Sequence, residues 1–330
     1  MDNSKKDIDI ITIGEVLIDF FAVQSGVKFR EVSEFRRIAG GAPANVAVGA
    51  SRLGKNTAFI GRVGYDEFGF YLRDVIAQNK VNVEMMQFDK ESRTGLAFIS
   101  LPTPTTREFL FYRNPGADMF LDWKQFNNEL IKNTRILHFG SITLINKTSK
   151  ESTLKAVMTA KDSGAVISYD PNLRIDLWPD KDAAKKQIFE VLPIADVLKI
   201  NDDELEFMTE TSDLKEGAKK LLKYGIKIII VTLGSKGSFY LTGHFSGIIP
   251  TFDVVTVDTT GCGDSFTSGF LSFLAENDLE NLASDHEKMK SILITATAAA
   301  SLTSMKKGVI PSLPYKSEVE AFLGSNFLKI

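Results

Sequence analysis

Apolar and polar positions alternate along this chain in two periods. Short β-rich runs stand at Ile8–Ile13, Ala58–Ile60, Ile136–Phe139, Val166–Tyr169, Val197–Ile200 and Lys227–Thr232. Helical spacing holds over Ala44–Leu53, Phe68–Asn79, Lys150–Ser163, Ala183–Leu192, Asp202–Met208 and Leu214–Tyr224. Strand patterns interleaved with helical ones predict an α/β fold, with a mostly parallel sheet and helices on both faces. Open sheets of this class bind ligands beyond the carboxyl ends of their strands, so polar motifs placed there gain weight. Two stretches break the alternation. Phe20–Ile38 has no strong helical period. Thr94–Tyr112 holds two β-like runs, Gly95–Leu101 and Arg107–Tyr112, around a Pro/Thr-rich turn at Pro102–Thr106. Together they predict a small β-sheet lid over a cleft, from segments about 20–38 and 94–118, on a single domain spanning 7–330. Residues 1–6 read as a frayed tail.

Composition narrows the class. At 330 residues, 44% apolar and 25% charged, the chain has the balance of a globular protein and length enough for a large core. Lys plus Arg is 39 and Asp plus Glu is 42, a net of -3, which leaves no general nucleic-acid footprint. Ile226–Leu233, the densest apolar stretch, is interrupted by Lys227 and falls far short of the ~20 residues of a membrane span, so no membrane partner is expected. The N-terminus lacks the pattern of a secretory signal. One cysteine, Cys262, permits no internal disulfide and suits a reducing cytoplasm. One cysteine and three scattered histidines (His138, His244, His286) argue against a zinc site.

Two glycine-rich helix starts carry the chemistry. In DTTGCGD (Asp258–Asp264), two glycines bracket a small residue just before an amphipathic helix. Glycines allow close backbone approach, and first-turn N–H groups form an anion site. There Asp264 is either a base for an attacking hydroxyl or a helix cap. In GGAPAN (Gly40–Asn45), Gly-Gly admits a ligand to the backbone and Asn45 offers both donor and acceptor, or the segment is a simple loop.

These two motifs, in this order and separation, resemble the two signatures of the ribokinase-like (PfkB) carbohydrate kinases. GEVLIDF (Gly14–Phe20), FIGRVGYDEFG (Phe59–Gly69), EFLFYRNPGADM (Glu108–Met119), HFGSITLI (His138–Ile145) and SYDPNLRIDLWP (Ser168–Pro179) resemble the fructokinases among them. The resemblance runs from about Ile8 to about Phe322. It implies ATP- and Mg²⁺-dependent phosphoryl transfer to a sugar hydroxyl, for a fructokinase the 6-hydroxyl of D-fructose. It makes Asp264 the catalytic base and the Gly261, Cys262 and Gly263 amides an anion hole. Cys262 stands where the family usually has Ala; the thiol is a small filler or an oxidation-sensitive group. Asp19, Gly40, Gly41 and Asn45 would form the sugar site, with Arg113 reaching it from the lid. Phe98, Phe109 and Phe111 would seal its apolar side or form the lid's own core.

Asn172 and Arg174 resemble substrate- and phosphate-facing positions, Arg174 balancing charge on the transferred group. Asn201 and Glu204 match an N-x-x-E pattern associated with Mg²⁺, held through water, and they equally fit a helix cap. Thr232, Gly234 and Gly237 match nucleotide-phosphate contacts. Asp258, Thr260, Gly308 and Ser312 resemble a K⁺ site of some relatives. A homodimer through an edge of the lid fits the same reading. Rivals fare worse. A nicotinamide dehydrogenase needs a GxGxxG turn after the first strand, and a Walker-type ATPase needs a GxxxxGK[ST] loop; neither is present. A 2-keto-3-deoxygluconate kinase would need Arg113 or Arg174 to read a carboxylate. A catalytically inactive sugar sensor could dispense with Asp264.

Overall fold

The computed structural model describes residues 6–103 and 108–325. Its strands are β1 (Ile8–Ile13), β2 (Leu17–Ser25), β3 (Phe35–Gly40), β4 (Thr57–Gly64), β5 (Met86–Asp89), β6 (Leu96–Leu101), β7 (Glu108–Tyr112), β8 (Thr134–Phe139), β9 (Val166–Tyr169), β10 (Val197–Asn201), β11 (Ile228–Thr232), β12 (Ser238–Thr242) and β13 (Ser246–Ile249). The helices are α1 (Ala42–Arg52), α2 (Glu67–Gln78), α3 (Asn128–Lys132), α4 (Lys147–Asp162), α5 (Lys181–Val191), α6 (Asp202–Thr209), α7 (Leu214–Leu222), α8 (Cys262–Leu274), α9 (Leu279–Ser284), α10 (His286–Ser304) and α11 (Lys316–Ser325).

Nine strands form the main sheet in the order β13-β12-β11-β10-β9-β8-β1-β4-β5. It is parallel except for β12 and β13, which pair antiparallel at one end. The period-2 geometry of a strand sorts its side chains into two cores. In β1, Ile11 and Ile13 join Ala156, Val157 and Ala160 of α4, while Ile10 joins Val46 of α1 and Phe266 of α8 on the other face. In β11, Ile229 and Val231 go with the first set, Ile228 and Ile230 with the second. Both faces are covered, which is why these strands read as nearly continuous apolar runs.

Chain order runs outward in both directions from the β8–β1 pair, so the crevice of the fold opens there, beyond the carboxyl ends of those strands. The predicted lid is a second sheet in the order β3-β2-β6-β7, with β2 and β6 parallel and the outer pairs antiparallel. It begins at Leu17, earlier than Phe20. Most of the Pro102–Thr106 turn lies outside the described residues. Phe98 stacks on Phe20 at 4.8 Å between centroids and meets Phe35 edge-on, so it belongs to the lid's own core.

One expectation changes, and three strands were not expected. Lys6 is not part of a loose tail: its Nζ donates to the carbonyls of Thr134 (2.8 Å) and Ser163 (2.9 Å). β5 lies in a four-residue stretch too short for its period to show. β12 and β13 escape the pattern because an antiparallel hairpin closes a sheet whose other signals are parallel.

Candidate active site

One cavity of about 820 Å³ runs between the lid and the carboxyl edge of the main sheet. Asp264 stands in its wall, in the first turn of α8. That helix starts on Gly261, whose φ of 79° is left-handed; a Cβ there would also lie 2.4 Å from Val309 Cγ1. Only glycine makes this turn without strain. Asn45, in α1, donates its Nδ2 to Asp264 Oδ2 at 2.8 Å. The partner Oδ1 of Asn45 is buried and makes no hydrogen bond within the described residues. The carboxyl of Asp264 touches the cavity but is ringed by protein, and this burial pushes its pKa up to about 6; the Asn45 hydrogen bond and then Lys199 pull the other way.

The residues expected on the sugar side converge. Asp19 lies on β2, facing the cavity and nearly buried. Burial lifts its carboxyl to about 7, against the pull of Arg174, with Asp264 and Glu15 adding repulsion. Gly40 is not on this cavity's lining; it makes room, because a Cβ would stand 2.0 Å from Asp19 Oδ2. Gly41 lines the cavity and caps α1 at φ 109°, where a Cβ would meet the Glu15 carbonyl at 2.5 Å. Asn172 and Arg174, in the turn after β9, also face the cavity. Arg174 Nη1 donates to the Leu173 carbonyl at 3.2 Å, anchoring the guanidinium. From the lid, Ala97, Ile99, Phe109 and Phe111 supply an apolar wall.

At the other end, Asn201, Thr232, Gly234 and Gly237 line the cavity, joined by Thr297 and Ser301 of α10. The Ser301 hydroxyl is buried without a protein partner among the described residues.

Three expected residues are placed otherwise. Arg113 is buried below the wall, its Nε donating to Asp118 Oδ2 at 2.7 Å, so it does not reach the sugar space. A guanidinium this deep needs a carboxylate, and Asp118, five residues on, takes it. Glu204 is also buried behind the wall. Its Oε1 accepts from the Leu173 N–H (2.6 Å) and its Oε2 from the Asn201 N–H (2.8 Å), while Asn201 Oδ1 accepts from the Glu204 N–H. This capping box ties the turn carrying Asn172 and Arg174 to the end of β10. The Cys262 N–H is directed to the Thr259 carbonyl at 3.3 Å, so it is engaged within the turn. Asp258, Thr260, Gly308 and Ser312 do meet in one knot. Asp258 Oδ1 accepts from Thr260 N–H (2.9 Å) and Oγ1 (2.7 Å), Asp258 Oδ2 from Gly308 N–H (3.2 Å), and Ser312 Oγ donates to the Gly308 carbonyl.

Sequence reasoning missed Lys199 and Glu15, which both line the cavity. Lys199 Nζ pairs with Asp170 Oδ2 at 2.9 Å. A lysine inside the apolar strand VLKIN was the available signal. Glu15 Oε1 accepts from the Ala42 N–H at 3.0 Å, capping α1, and burial raises its carboxyl to about 7. Among the described residues, Arg174 and Lys199 are the cations on the cavity lining.

A buried acid at a glycine-started helix, faced by hydroxyl-binding groups and joined to a second polar subsite, is an arrangement for transfer to an alcohol. Residues 7–316 match the pfkB family carbohydrate kinase. The chain belongs to that family. It is therefore a carbohydrate kinase, a phosphotransferase with an alcohol acceptor. Among its relatives is Fructokinase-2 of Solanum lycopersicum, 44% identical over 315 residues that cover 95% of each chain. Two solved structures share the fold at 30% identity. The fructokinase of Xylella fastidiosa with bound ATP superposes with a TM-score of 0.88, covering 96% of this kinase and 98% of that chain. The fructokinase of Vibrio cholerae O395, bound to fructose, ADP and calcium ion, has a TM-score of 0.85 over 96% and 99%. No described helix of this kinase is long and apolar enough to cross a membrane.

Proposed function

We propose that this kinase is a fructokinase, transferring the γ-phosphoryl group of ATP to the 6-hydroxyl of D-fructose with Asp264 as the base. The observation that carries the reading is the pair Asn45–Asp264: a carboxylate held at 2.8 Å by an amide whose own oxygen is unpartnered, inside a cavity with a second carboxylate, Asp19. Asp19 and Asn45 accept sugar hydroxyls; Phe109 and Phe111 cover the apolar face of the ring. Asp264 takes the proton of the attacking hydroxyl as the oxygen bonds to phosphorus and the bond to ADP breaks. The first-turn amides at Gly261 and Gly263, with Arg174, hold the charge on the phosphoryl oxygens. The nucleotide lies along Asn201, Thr232, Gly234 and Gly237, with Ser301 at its far end. Mg²⁺ fits beside Asn201 only with water in its shell, because both Glu204 oxygens already accept backbone N–H groups. Bound there, it would supply charge to neutralise the phosphates. The Asp258 knot is the corresponding place for K⁺.

A neutral sugar suits the lining better than an acidic or phosphorylated one. Of the two cations that a carboxylate reader would use, Arg113 is committed to Asp118, and Arg174 is assigned in this reading to the phosphoryl oxygens. The lone thiol of Cys262, on the cavity wall, fits work in a reducing cytoplasm. A second copy would pair along β7, an edge strand with exposed Phe109, Leu110 and Tyr112; light scattering giving one chain per particle overturns that pairing.

The test is product analysis by phosphorus and carbon NMR after incubation with fructose and MgATP. The reading expects fructose 6-phosphate. A 1-phosphate, or no sugar-dependent ADP from folded protein, overturns it.

A further inference from the structure

We propose that Lys199 and Asp170 form a buried charge pair that tunes Asp264 in opposite senses, Lys199 favouring its charged form and Asp170 opposing it; the proposal rests on Asp264 being the base. Both are positioning residues, acting through Asp264 rather than on the sugar.

Strand register creates the pair. β9 and β10 run parallel with Leu198 opposite Tyr169, so the next step aligns Lys199 with Asp170. Lys199 projects to the face opposite Leu198 and Ile200, the face that packs on α8. There its ammonium lies 3.2 Å from where a Cβ on Gly263 would stand, under the residue before Asp264. Lys199 and Asp170 are 8% and 5% exposed, so water screens neither well. A buried ion pair is weak as a stabilising device, which leaves its field to be explained.

Lys199 favours the ionised form of Asp264 and Asp170 opposes it. The other groups facing Asp264 are accounted for. Asn45 donates to it from α1, and Arg174 adds positive charge from the turn after β9. Asp19 repels it from β2. Glu15 and His138 share a small void with it, and burial holds the His138 imidazole neutral, down to about 4. Neither Lys199 nor Asp170 is among the groups that move Asp19, so variants of the pair report on Asp264.

The experiment is the pH dependence of kcat, at saturating fructose and MgATP, for wild type, Lys199→Met, Lys199→Arg and Asp170→Asn. Lys199→Met removes the favourable charge, so the acid limb moves up by about one pH unit. Asp170→Asn removes the opposing charge, so the limb moves down. Lys199→Arg keeps the limb near wild type. Opposite displacements are not produced by a loss of packing. Limbs that stay put, or move together, overturn the proposal, as does a Lys199→Met variant that changes only KM for ATP. If Lys199→Met does not fold, Asp170→Asn decides: a downward limb supports the pair, an unmoved or upward one overturns it. Asp264→Asn run alongside separates the two readings. Near-normal turnover overturns the base assignment itself; an inactive Asp264→Asn with unmoved limbs in the pair variants overturns only the charge pair.

Discussion

The main sheet and the lid are built from the same strand geometry and serve the cavity differently. In β11 the four residues Ile228–Val231 are all buried, pressed between helices on two faces. In β7 every described residue but Phe111 is exposed, and Phe111 is only half-buried. The doubly covered sheet holds charge where water is scarce: Lys199, Asp170 and the α8 turn with Asp264 all sit at its carboxyl edge. The singly covered lid contributes one acid to the cavity lining, Asp19, and an apolar wall. On the proposed reading, the contrast puts the proton-accepting acid on the doubly covered side and the second carboxylate and apolar wall of the sugar space on the lid.

Substitutions on the two sides should therefore separate kcat from sugar affinity. The largest effect belongs to Asp264→Asn. Turnover should fall by about 10²–10⁴-fold, with fructose affinity little changed in calorimetric titration. A comparable loss of both would break the division. Gly261→Ala forces a Cβ into Val309 and a left-handed φ, and so misplaces the α8 turn. Turnover should drop by about 10²-fold while the chain still melts cooperatively.

On the lid side, Asp19→Asn removes a charged acceptor and should raise KM for fructose by roughly 10–100-fold, beyond its effect on kcat. pH sharpens the same line. Asp19, at about 7, must be ionised to accept from the sugar, and Asp264, at about 6, to accept the proton. Both carboxyls are raised, so acidification switches them off. kcat/KM for fructose should bend down below about pH 7 and again below about 6, whereas kcat at saturating sugar should show only the lower limb. A single limb shared by both parameters would mean that the two acids do not act separately. The smallest effect is Phe111→Ala, which trims the apolar wall and should raise KM for fructose by about tenfold or less at nearly constant kcat.

The same contrast explains what could be read from residues alone. The buried strands were legible because coverage on both faces makes them apolar runs, as at Val166–Tyr169, found at its observed bounds. The lid appeared only as an interruption, because half-covered strands such as β2 lose their apolar residues toward the exposed end. In the site, Gly41, Asn45, Asp264 and Arg174 sat in motifs with local spacing. Lys199 and Asp170 are 29 residues apart and meet only through β9–β10 register. Arg113 was misplaced for a related reason: nothing in its exposed-looking turn shows that Asp118 folds beneath it. Glu204 shows the converse, a motif residue whose observed work is hydrogen bonding to two backbone amides.

The central claim, phosphoryl transfer to fructose, is tested most directly by initial-rate ADP formation from MgATP against a panel. The panel holds fructose, glucose, ribose, 2-keto-3-deoxygluconate and fructose 6-phosphate, with a no-sugar control and K⁺ present. The account predicts kcat/KM for fructose at least about tenfold above every other member, a transition-state preference of about 1.4 kcal/mol or more. A preference for 2-keto-3-deoxygluconate would leave the kinase chemistry in place and contradict the sugar assignment. No sugar-dependent ADP from folded protein would contradict the account of the site.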